Sequence, residues 1–213
     1  MHDTASTLRF GTPLTQARLA LILVHGRGSN PEDMIGLAEA LPQEAVHFIA
    51  PGAEGGAWYP QRFFVPVIQN EPHLSAALRV LEQLVRETRE AGLPAERIGL
   101  IGFSQGACLS LEYAARHAGR YALIGALSGA LIGPLGAARP KFDLQGTPVL
   151  AGCADHDPHI PLEFVEHSAA LLAASGAEVT KQIYPGHAHT VFPAEIRWLG
   201  EHIRQAIAGR RSP

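Results

Sequence analysis

Short, continuous apolar runs alternate along this chain with longer segments that carry an amphipathic helical pattern. Strands that are apolar on both faces must be covered on both faces, and parallel strands joined by helices meet that requirement. The alternation therefore predicts an α/β fold, with a mostly parallel central sheet, right-handed crossovers and helices on both faces. The predicted strands are Leu19–His25, Val46–Ala50, Arg97–Phe103, Tyr121–Leu127, Thr147–Cys153 and Glu178–Tyr184. The predicted helices are Pro31–Leu41, Pro72–Ala91, Gln105–His117, Leu162–Ser175 and Ala194–Ala208.

Length and composition are those of an ordinary globular chain. The 213 residues fit a single domain, 1–213, and 46% of them are hydrophobic while 17% are charged. The net charge of −3 gives no sign of a nucleic-acid-binding surface. The opening residues MHDTASTLRFG lack the apolar core of a signal peptide, and no run reaches the roughly 18 apolar residues of a membrane span. These features predict a cytoplasmic protein without stable membrane insertion, whose Cys108 and Cys153 are reduced and buried.

The segment GFSQGA, from Gly102 to Ala107, places a serine between two glycines where a predicted strand passes into a predicted helix. In the G-x-S-x-G arrangement the nucleophile adopts a strained backbone conformation, and the flanking glycines keep side chains out of the turn. The position between strand and helix favours a nucleophilic Ser104 over a serine that only caps a helix. Because a serine hydroxyl is a weak nucleophile at neutral pH, it needs a base and a group that orients the base.

Two later strands are followed by segments that could supply these groups. CADHDPHIP offers Asp155 and Asp157, and YPGHAHTV offers His187 and His189. The carboxyl ends of parallel strands meet at one edge of a sheet, so both segments are expected near Ser104. Serine, acid and histidine in this order are the triad order of α/β-hydrolases. The two histidines are two residues apart, so on an extended loop only one of them can face the serine.

The loop HGRGSN, which follows the first predicted strand, could help to bind negative charge on a substrate carbonyl oxygen. Gly26 and Gly28 would let the backbone amide of Arg27 face the substrate, and the amide after the nucleophile, that of Gln105, is the usual second donor. The other interpretation of this loop is a tight connection between strand and helix. His25 is interpreted as a structural residue at the end of the strand.

Five segments resemble successive blocks of the phospholipase/carboxylesterase family, the small and nearly lidless α/β-hydrolases that include acyl-protein thioesterases. They are LILVHGRGSN, IGFSQGACLSLEYA, ALSGAL, TPVLAGCADHDPHIP and YPGHAHTV, and they are spread from about Leu21 to Val191, which is most of the chain. The resemblance implies a single-domain α/β-hydrolase fold. It also implies that Ser104 is the nucleophile, Asp157 the acid and His189 the base, with Arg27 and Gln105 at the oxyanion positions.

The match to the family's D-P-x-x-P element favours Asp157 over Asp155, which is then a turn residue. The sequence departs from the usual family pattern at Arg27, Ala107, His159 and His187, and these departures bear on the acyl preference. The Arg27 side chain has two interpretations: it binds a carboxylate or phosphate of the substrate, or it pairs with a neighbouring acid.

The long, Gly- and Pro-rich insertion Pro51–Asn70 carries a cluster of aromatic residues. Loops of this length usually have a function, so Trp58, Phe63 and Phe64 are predicted to form walls of an apolar substrate pocket rather than part of the core. An exposed aromatic loop would also be compatible with a homodimer. Several histidines lie in the two acid- and base-bearing segments, but HAHTVF lacks the downstream Asp-His of dinuclear hydrolases and the chain has no H-E-x-x-H. No metal and no organic cofactor is predicted.

Together these observations predict a serine hydrolase that cleaves carboxylic esters through an acyl-enzyme, with thioesters and lysophospholipids as further candidate substrates. The expected partner is a small-molecule ester or acyl substrate. The alternative is a non-catalytic ligand-binding or sensing protein on the same fold, since a fold does not determine a function. The presence of all three triad residues in order argues against that alternative. A serine rather than a cysteine at position 104 disfavours dienelactone-type hydrolysis.

Overall fold

A single seven-stranded sheet organises the chain, which a computed structural model describes over residues 2–209. The strand order is β1-β3-β2-β4-β5-β6-β7, with β1 antiparallel to β3 and every other neighbouring pair parallel. The strands are β1 Leu8–Gly11, β2 Leu19–Val24, β3 Val46–Ala50, β4 Ile98–Phe103, β5 Leu123–Leu127, β6 Pro148–Ala154 and β7 Glu178–Tyr184. The central strands β2 to β6 are buried along almost their whole length, which explains their continuous apolar sequences.

Helices cover both faces of the sheet and create two apolar cores. The helices are α1 Asp33–Glu39, α2 His73–Glu90, α3 Gln105–Arg116, α4 Leu162–Ala174 and α5 Pro193–Ala208. Residues of α2, α3 and α4 form one core with the sheet, and residues of α1 and α5 form the other. The stripe of leucines on α2 explains why that helix is amphipathic: Leu74, Leu81 and Leu84 are fully buried. The predicted α/β-hydrolase fold is confirmed.

One strand escaped prediction. β1 is only four residues long, its side chains are partly or largely exposed, and it pairs antiparallel at the edge of the sheet. Such an edge strand lacks the continuous apolar run that marked the buried strands, so the sequence pattern did not reveal it. Three predicted boundaries shift by two residues: α1 runs over Asp33–Glu39 rather than Pro31–Leu41, and β5 begins at Leu123 rather than Tyr121.

This topology brings distant parts of the chain to one edge of the sheet. The turn after β4 lies at the centre of the sheet, and the loops after β6 and β7 lie on the same side because these strands are parallel.

Cys108 and Cys153 are both buried, with free thiols. Within residues 2–209, no helix combines the length and the apolar character needed to cross a membrane.

Candidate active site

Ser104 occupies a sharp turn between the last residue of β4 and the first residue of α3. Its backbone angles are φ 55° and ψ −117°, in a region that residues other than glycine rarely adopt. A Cβ atom on Gly102 would collide with the carbonyl of Gly106, and a Cβ atom on Gly106 would collide with the carbonyl of Val24. Both glycines are therefore required by close approach of the backbone, as the motif predicted.

Three side chains from three different loops form a continuous hydrogen-bonded chain. His189 Nε2 lies 2.8 Å from Ser104 Oγ, and His189 Nδ1 lies 2.7 Å from Asp157 Oδ2. Because a carboxylate can only accept, the Nδ1 atom carries the ring proton and Nε2 is free to accept the proton of the hydroxyl. The three residues follow β4, β6 and β7, so the parallel sheet is what brings them together.

The carboxylate of Asp157 is held in place from both sides. Its Oδ1 atom accepts hydrogen bonds from the backbone amides of His159, at 2.8 Å, and Ile160, at 3.1 Å. The buried Cys153 thiol lies 3.6 Å from Oδ2. Burial alone would raise the pKa of Asp157, but the hydrogen bonds from His189 and from the two amides outweigh it and lower the pKa below its ordinary value. Asp157 is therefore ionised at neutral pH.

The competing candidates Asp155 and His187 serve the structure of the same loops. Asp155 Oδ1 accepts a 2.8 Å hydrogen bond from the amide of Gly186 and so ties the loop after β6 to the loop after β7. His187 is exposed, its Nδ1 atom lies 3.1 Å from the carbonyl oxygen of His156, and the two imidazole rings stack at 5.2 Å. Neither residue hydrogen-bonds to Ser104. Within residues 2–209, no group of three or more His, Cys, Asp or Glu side chains could hold a metal ion.

Gln105 is the first residue of α3, so its backbone amide has no acceptor within the helix and lies at the positive end of the helix dipole. Its side chain has a separate role. Oε1 accepts a 2.8 Å hydrogen bond from the amide of Trp58, and Nε2 donates a 2.9 Å hydrogen bond to the carbonyl of Tyr59. The buried Gln105 side chain thus fastens the aromatic insertion to the start of the nucleophile helix.

The loop after β2 brings Arg27 next to the serine turn. A Cβ atom on Gly26 would lie 3.4 Å from the Cβ atom of Ser104, so the two backbones pass close to each other. The Arg27 guanidinium donates 2.8 Å hydrogen bonds to the carbonyls of Tyr59 and Gln61. Neither sequence interpretation of this side chain anticipated these contacts, because the partners are backbone atoms of the insertion rather than an acid.

His25 stabilises the same loop through two hydrogen bonds of its ring. Its Nε2 atom accepts a 3.0 Å hydrogen bond from the amide of Ala53, so Nδ1 carries the proton and donates to the carbonyl of Gly26 at 2.7 Å. Burial lowers the pKa of His25, which keeps the ring neutral. These contacts agree with the interpretation of His25 as a structural residue.

A cavity of about 670 Å³ opens beside Ser104 and is lined mainly by apolar side chains. Its apolar walls are formed by Met34, Leu37, Tyr59, Phe63, Phe103, Ile160 and Val191. Its polar walls include Arg27, Asp33, Gln61, Arg62 and His159, besides the hydrogen-bonded Ser104 and His189. A cavity of this size that is largely apolar and has a few polar groups converging on one point is typical of a small-molecule site.

The prediction of three aromatic pocket walls needs correction. Phe63 lines the cavity, but Trp58 is fully buried in the core, where its Nε1–H donates a 2.9 Å hydrogen bond to the carbonyl of His25. Phe64 lies outside the cavity lining, with its ring centroid 5.2 Å from that of Phe63 and 5.5 Å from that of Phe164. Tyr59, which is not among the three predicted walls, lines the cavity instead. Clustering of aromatics along the chain did not indicate which rings turn toward the core.

The parallel sheet, the serine turn and the acid and histidine on later loops define the protein as an α/β-hydrolase. The profile of the phospholipase/carboxylesterase family matches residues 11–207. The crystal structure of a phospholipase/carboxylesterase from Dyadobacter fermentans superposes with a TM-score of 0.89 at 37% identity, covering 95% of this chain and 97% of that one. The chain belongs to the phospholipase/carboxylesterase family, and it is a carboxylesterase-type hydrolase.

Curated relatives agree with this assignment. Acyl-protein thioesterase 1 of Saccharomyces cerevisiae is 26% identical over 227 residues, which cover 94% of this chain and 98% of the yeast protein. Esterase YpfH of Escherichia coli is 27% identical over 206 residues, which cover 92% of this chain and 86% of the esterase. The structure of Zea mays acyl-protein thioesterase 2, at 20% identity and a TM-score of 0.71, shows the same fold.

Proposed function

We propose that this protein hydrolyses carboxylic esters or thioesters through an acyl-enzyme formed on Ser104, with Asp157 and His189 completing a catalytic triad. The observation that carries the proposal is the pair of hydrogen bonds at His189, 2.8 Å to the serine hydroxyl and 2.7 Å to the aspartate. An imidazole with a free Nε2 atom in contact with a hydroxyl is the arrangement that activates a serine.

Acylation starts when Ser104 Oγ attacks the substrate carbonyl carbon and its proton passes to His189 Nε2. The positive charge that forms on the imidazole is stabilised by ionised Asp157, which also holds the ring in the required tautomer. The negative charge on the carbonyl oxygen is bound by the backbone amides of Arg27 and Gln105. The tetrahedral intermediate then collapses, and His189 donates its proton to the departing alcohol or thiol.

Deacylation repeats these steps with water as the nucleophile. His189 removes a proton from the water, the hydroxide adds to the acyl carbon, and Ser104 Oγ leaves with a proton returned by His189. The carboxylic acid departs and the free enzyme is regenerated. All proton transfers pass through one imidazole, so the scheme calls for no metal or organic cofactor.

Esters and thioesters are both proposed as substrates because the cavity beside Ser104 is mainly apolar and the relatives include proteins named esterase and acyl-protein thioesterase. The apolar walls suit an acyl chain. Lysophospholipids belong to the same proposal as a third substrate class. The cytoplasmic location and the homodimer stay predictions from the sequence.

The proposal is tested by measuring hydrolysis of p-nitrophenyl acetate and butyrate and of the matching thioesters, together with labelling by a fluorophosphonate probe. We expect turnover of both classes and labelling that disappears in Ser104→Ala. A folded protein that neither turns over these substrates nor reacts with the probe would favour the ligand-binding alternative. An acyl-chain series on esters and thioesters then ranks the substrate classes.

A further inference from the structure

A fully buried carboxyl group that is not part of the proposed triad lies at the start of α5. Glu195 is 0% exposed, and its Oε2 atom accepts a 2.7 Å hydrogen bond from the backbone amide of Phe192. Its other oxygen, Oε1, is buried without a hydrogen-bond partner among residues 2–209. Burying a polar atom without a partner is costly, so the position calls for an explanation.

The neighbouring strand leaves room for this carboxyl. Oε1 faces the backbone of Gly152 in β6, and a Cβ atom on Gly152 would collide with it. Gly152 pairs with Leu127 of β5 and with Gln182 of β7, so the space lies against the interior of the sheet and not at its edge. A glycine in a central strand and a buried glutamate on the helix above it therefore form one complementary contact.

Glu195 holds the segment that carries the histidine. His189 lies six residues before Glu195, and the hydrogen bond to the amide of Phe192 fixes the end of the intervening segment. The ring of Phe192 also stacks on Tyr184 of β7, with centroids 3.8 Å apart. Ser128 Oγ lies 3.5 Å from the carbonyl of Thr190. Glu195 thus fixes the chain on the C-terminal side of His189, whereas Asp157 precedes His189 in the sequence.

The titratable groups that face Glu195 from the neighbouring strands are neutral at pH 7. They are Cys153 of β6 and Tyr184 of β7, and burial raises the pKa of each to about 12. Burial likewise raises the pKa of Glu195 to about 7. The carboxyl thus lacks a neighbouring countercharge in these strands and relies on the Phe192 amide.

We propose that Glu195 is a positioning residue. Its carboxyl occupies the space beside Gly152 and accepts a hydrogen bond from the Phe192 amide, and it thereby fixes the segment that presents the His189 imidazole to Ser104. This inference rests on the proposed function, because it assigns a purpose to the placement of the proposed base. A displacement of about 1 Å in a catalytic group can lower turnover by about 10²-fold, so a contact six residues away can control the rate.

The test compares Glu195→Ala, Glu195→Gln and Gly152→Ala with Glu201→Ala, an exposed glutamate on the same helix. Kinetics with p-nitrophenyl butyrate are measured well below each melting temperature, and the downfield proton resonance of His189 Nδ1–H is recorded by NMR. We expect Glu195→Ala and Gly152→Ala to lower kcat by about 10- to 100-fold with KM changed less than about threefold, and to broaden or shift the resonance. Glu195→Gln keeps an acceptor for the Phe192 amide and should recover most of kcat.

The inference is overturned if Glu195→Ala lowers only the melting temperature, because Glu195 would then be a helix cap and nothing more. Equal losses in Glu201→Ala would also contradict it. Should Glu195→Ala not fold, Gly152→Ala and Glu195→Asp, whose shorter side chain cannot keep the same bond, give the same comparison. A folded wild-type protein without esterase activity would instead reject the proposed function, and the His189 resonance would still report whether Glu195 positions the ring.

Discussion

Asp157 and His189 share a 2.7 Å hydrogen bond in which the carboxylate side chain is 0% exposed and the imidazole is 18% exposed. The carboxylate can therefore influence a substrate only through the ring, whereas the ring borders the cavity beside Ser104. This asymmetry is what an orienting acid and a proton-transferring base require. It also separates Asp157 from Asp155, which bonds to the backbone of Gly186.

The first prediction concerns the two aspartates. Asp157→Asn should lower kcat by up to about 10⁴-fold, because an amide can donate to Nδ1 and stabilise the wrong ring tautomer. Asp155→Asn keeps an acceptor for the Gly186 amide and should change kcat less than about tenfold. Ser104→Ala and His189→Ala should each lower kcat by about 10³- to 10⁶-fold, and the two effects should not be additive in the double variant. Steady-state kinetics on p-nitrophenyl butyrate check these values, and a reversed order for the two asparagine variants would reject the assignment of Asp157.

A second prediction concerns the side chain of Gln105, which fastens the insertion to α3 through Trp58 and Tyr59. Gln105→Ala leaves the buried Trp58 amide without a partner, at about 1–3 kcal/mol, and removes one of the two hydrogen bonds that the Tyr59 carbonyl accepts. Because Tyr59 lines the cavity, we expect KM for p-nitrophenyl butyrate to rise about tenfold while the melting temperature falls. Gln69→Ala, at an exposed glutamine of the same insertion, is the matched control. An unchanged KM in Gln105→Ala would mean that the wall does not depend on these two bonds.

The third prediction decides what the Arg27 side chain does. Its guanidinium donates hydrogen bonds to two backbone carbonyls, so Arg27→Ala should make the cavity wall less rigid and weaken the binding of all substrates by a similar factor. We expect kcat/KM for p-nitrophenyl butyrate and for a p-nitrophenyl hemisuccinate to fall by the same factor within about threefold. If the anionic ester lost about tenfold more than the neutral one, Arg27 would instead bind a substrate carboxylate.

The fourth prediction separates a cavity wall from the core. Phe63→Ala should enlarge the cavity beside Ser104 and shift the preferred acyl chain of a p-nitrophenyl ester series toward greater length. Trp58→Ala removes a fully buried ring outside the cavity, so it should cost about 3–5 kcal/mol of unfolding free energy and leave the chain-length profile unchanged. Chemical denaturation and the ester series measure the two effects. The same shift of profile in both variants would place Trp58 at the cavity after all.

The parts of this molecule that the sequence predicts are those governed by local rules. Continuous apolar runs predict buried strands, and the strained turn at Ser104 requires glycine on both sides. Because the strands are parallel, the loops that carry Asp157 and His189 can be assigned to the same edge of the sheet before any tertiary contact is known. The remaining features depend on how distant segments pack.

Those long-range features have no counterpart in a local pattern. Trp58 and Phe63 lie in the same aromatic cluster, yet one is fixed in the core by the carbonyl of His25 and the other lines the cavity. The partners of Arg27 are carbonyl groups, which every residue possesses. The contact between Glu195 and Gly152 joins a helix to a strand, and neither residue alone indicates it.

The last prediction concerns the pH dependence of stability at Glu195. Burial raises the pKa of this carboxyl from its ordinary value of 4.5 to about 7, so the folded state holds a proton that the unfolded state has released. The associated stability is fully present below pH 4.5 and is lost as pH rises through about 7. Glu195→Gln cannot ionise, so its unfolding free energy relative to wild type should increase between pH 4.5 and pH 8, by up to about 3 kcal/mol.

Urea denaturation of both proteins across this pH range measures the difference, with Glu201→Gln as the exposed control, whose difference from wild type should stay constant. A constant difference for Glu195→Gln as well would mean that folding does not raise the pKa of Glu195. In that case the folded protein would hold Glu195 as a buried carboxylate at pH 7, and the space beside Gly152 would have to admit water to Oε1 in addition to the Phe192 amide on Oε2.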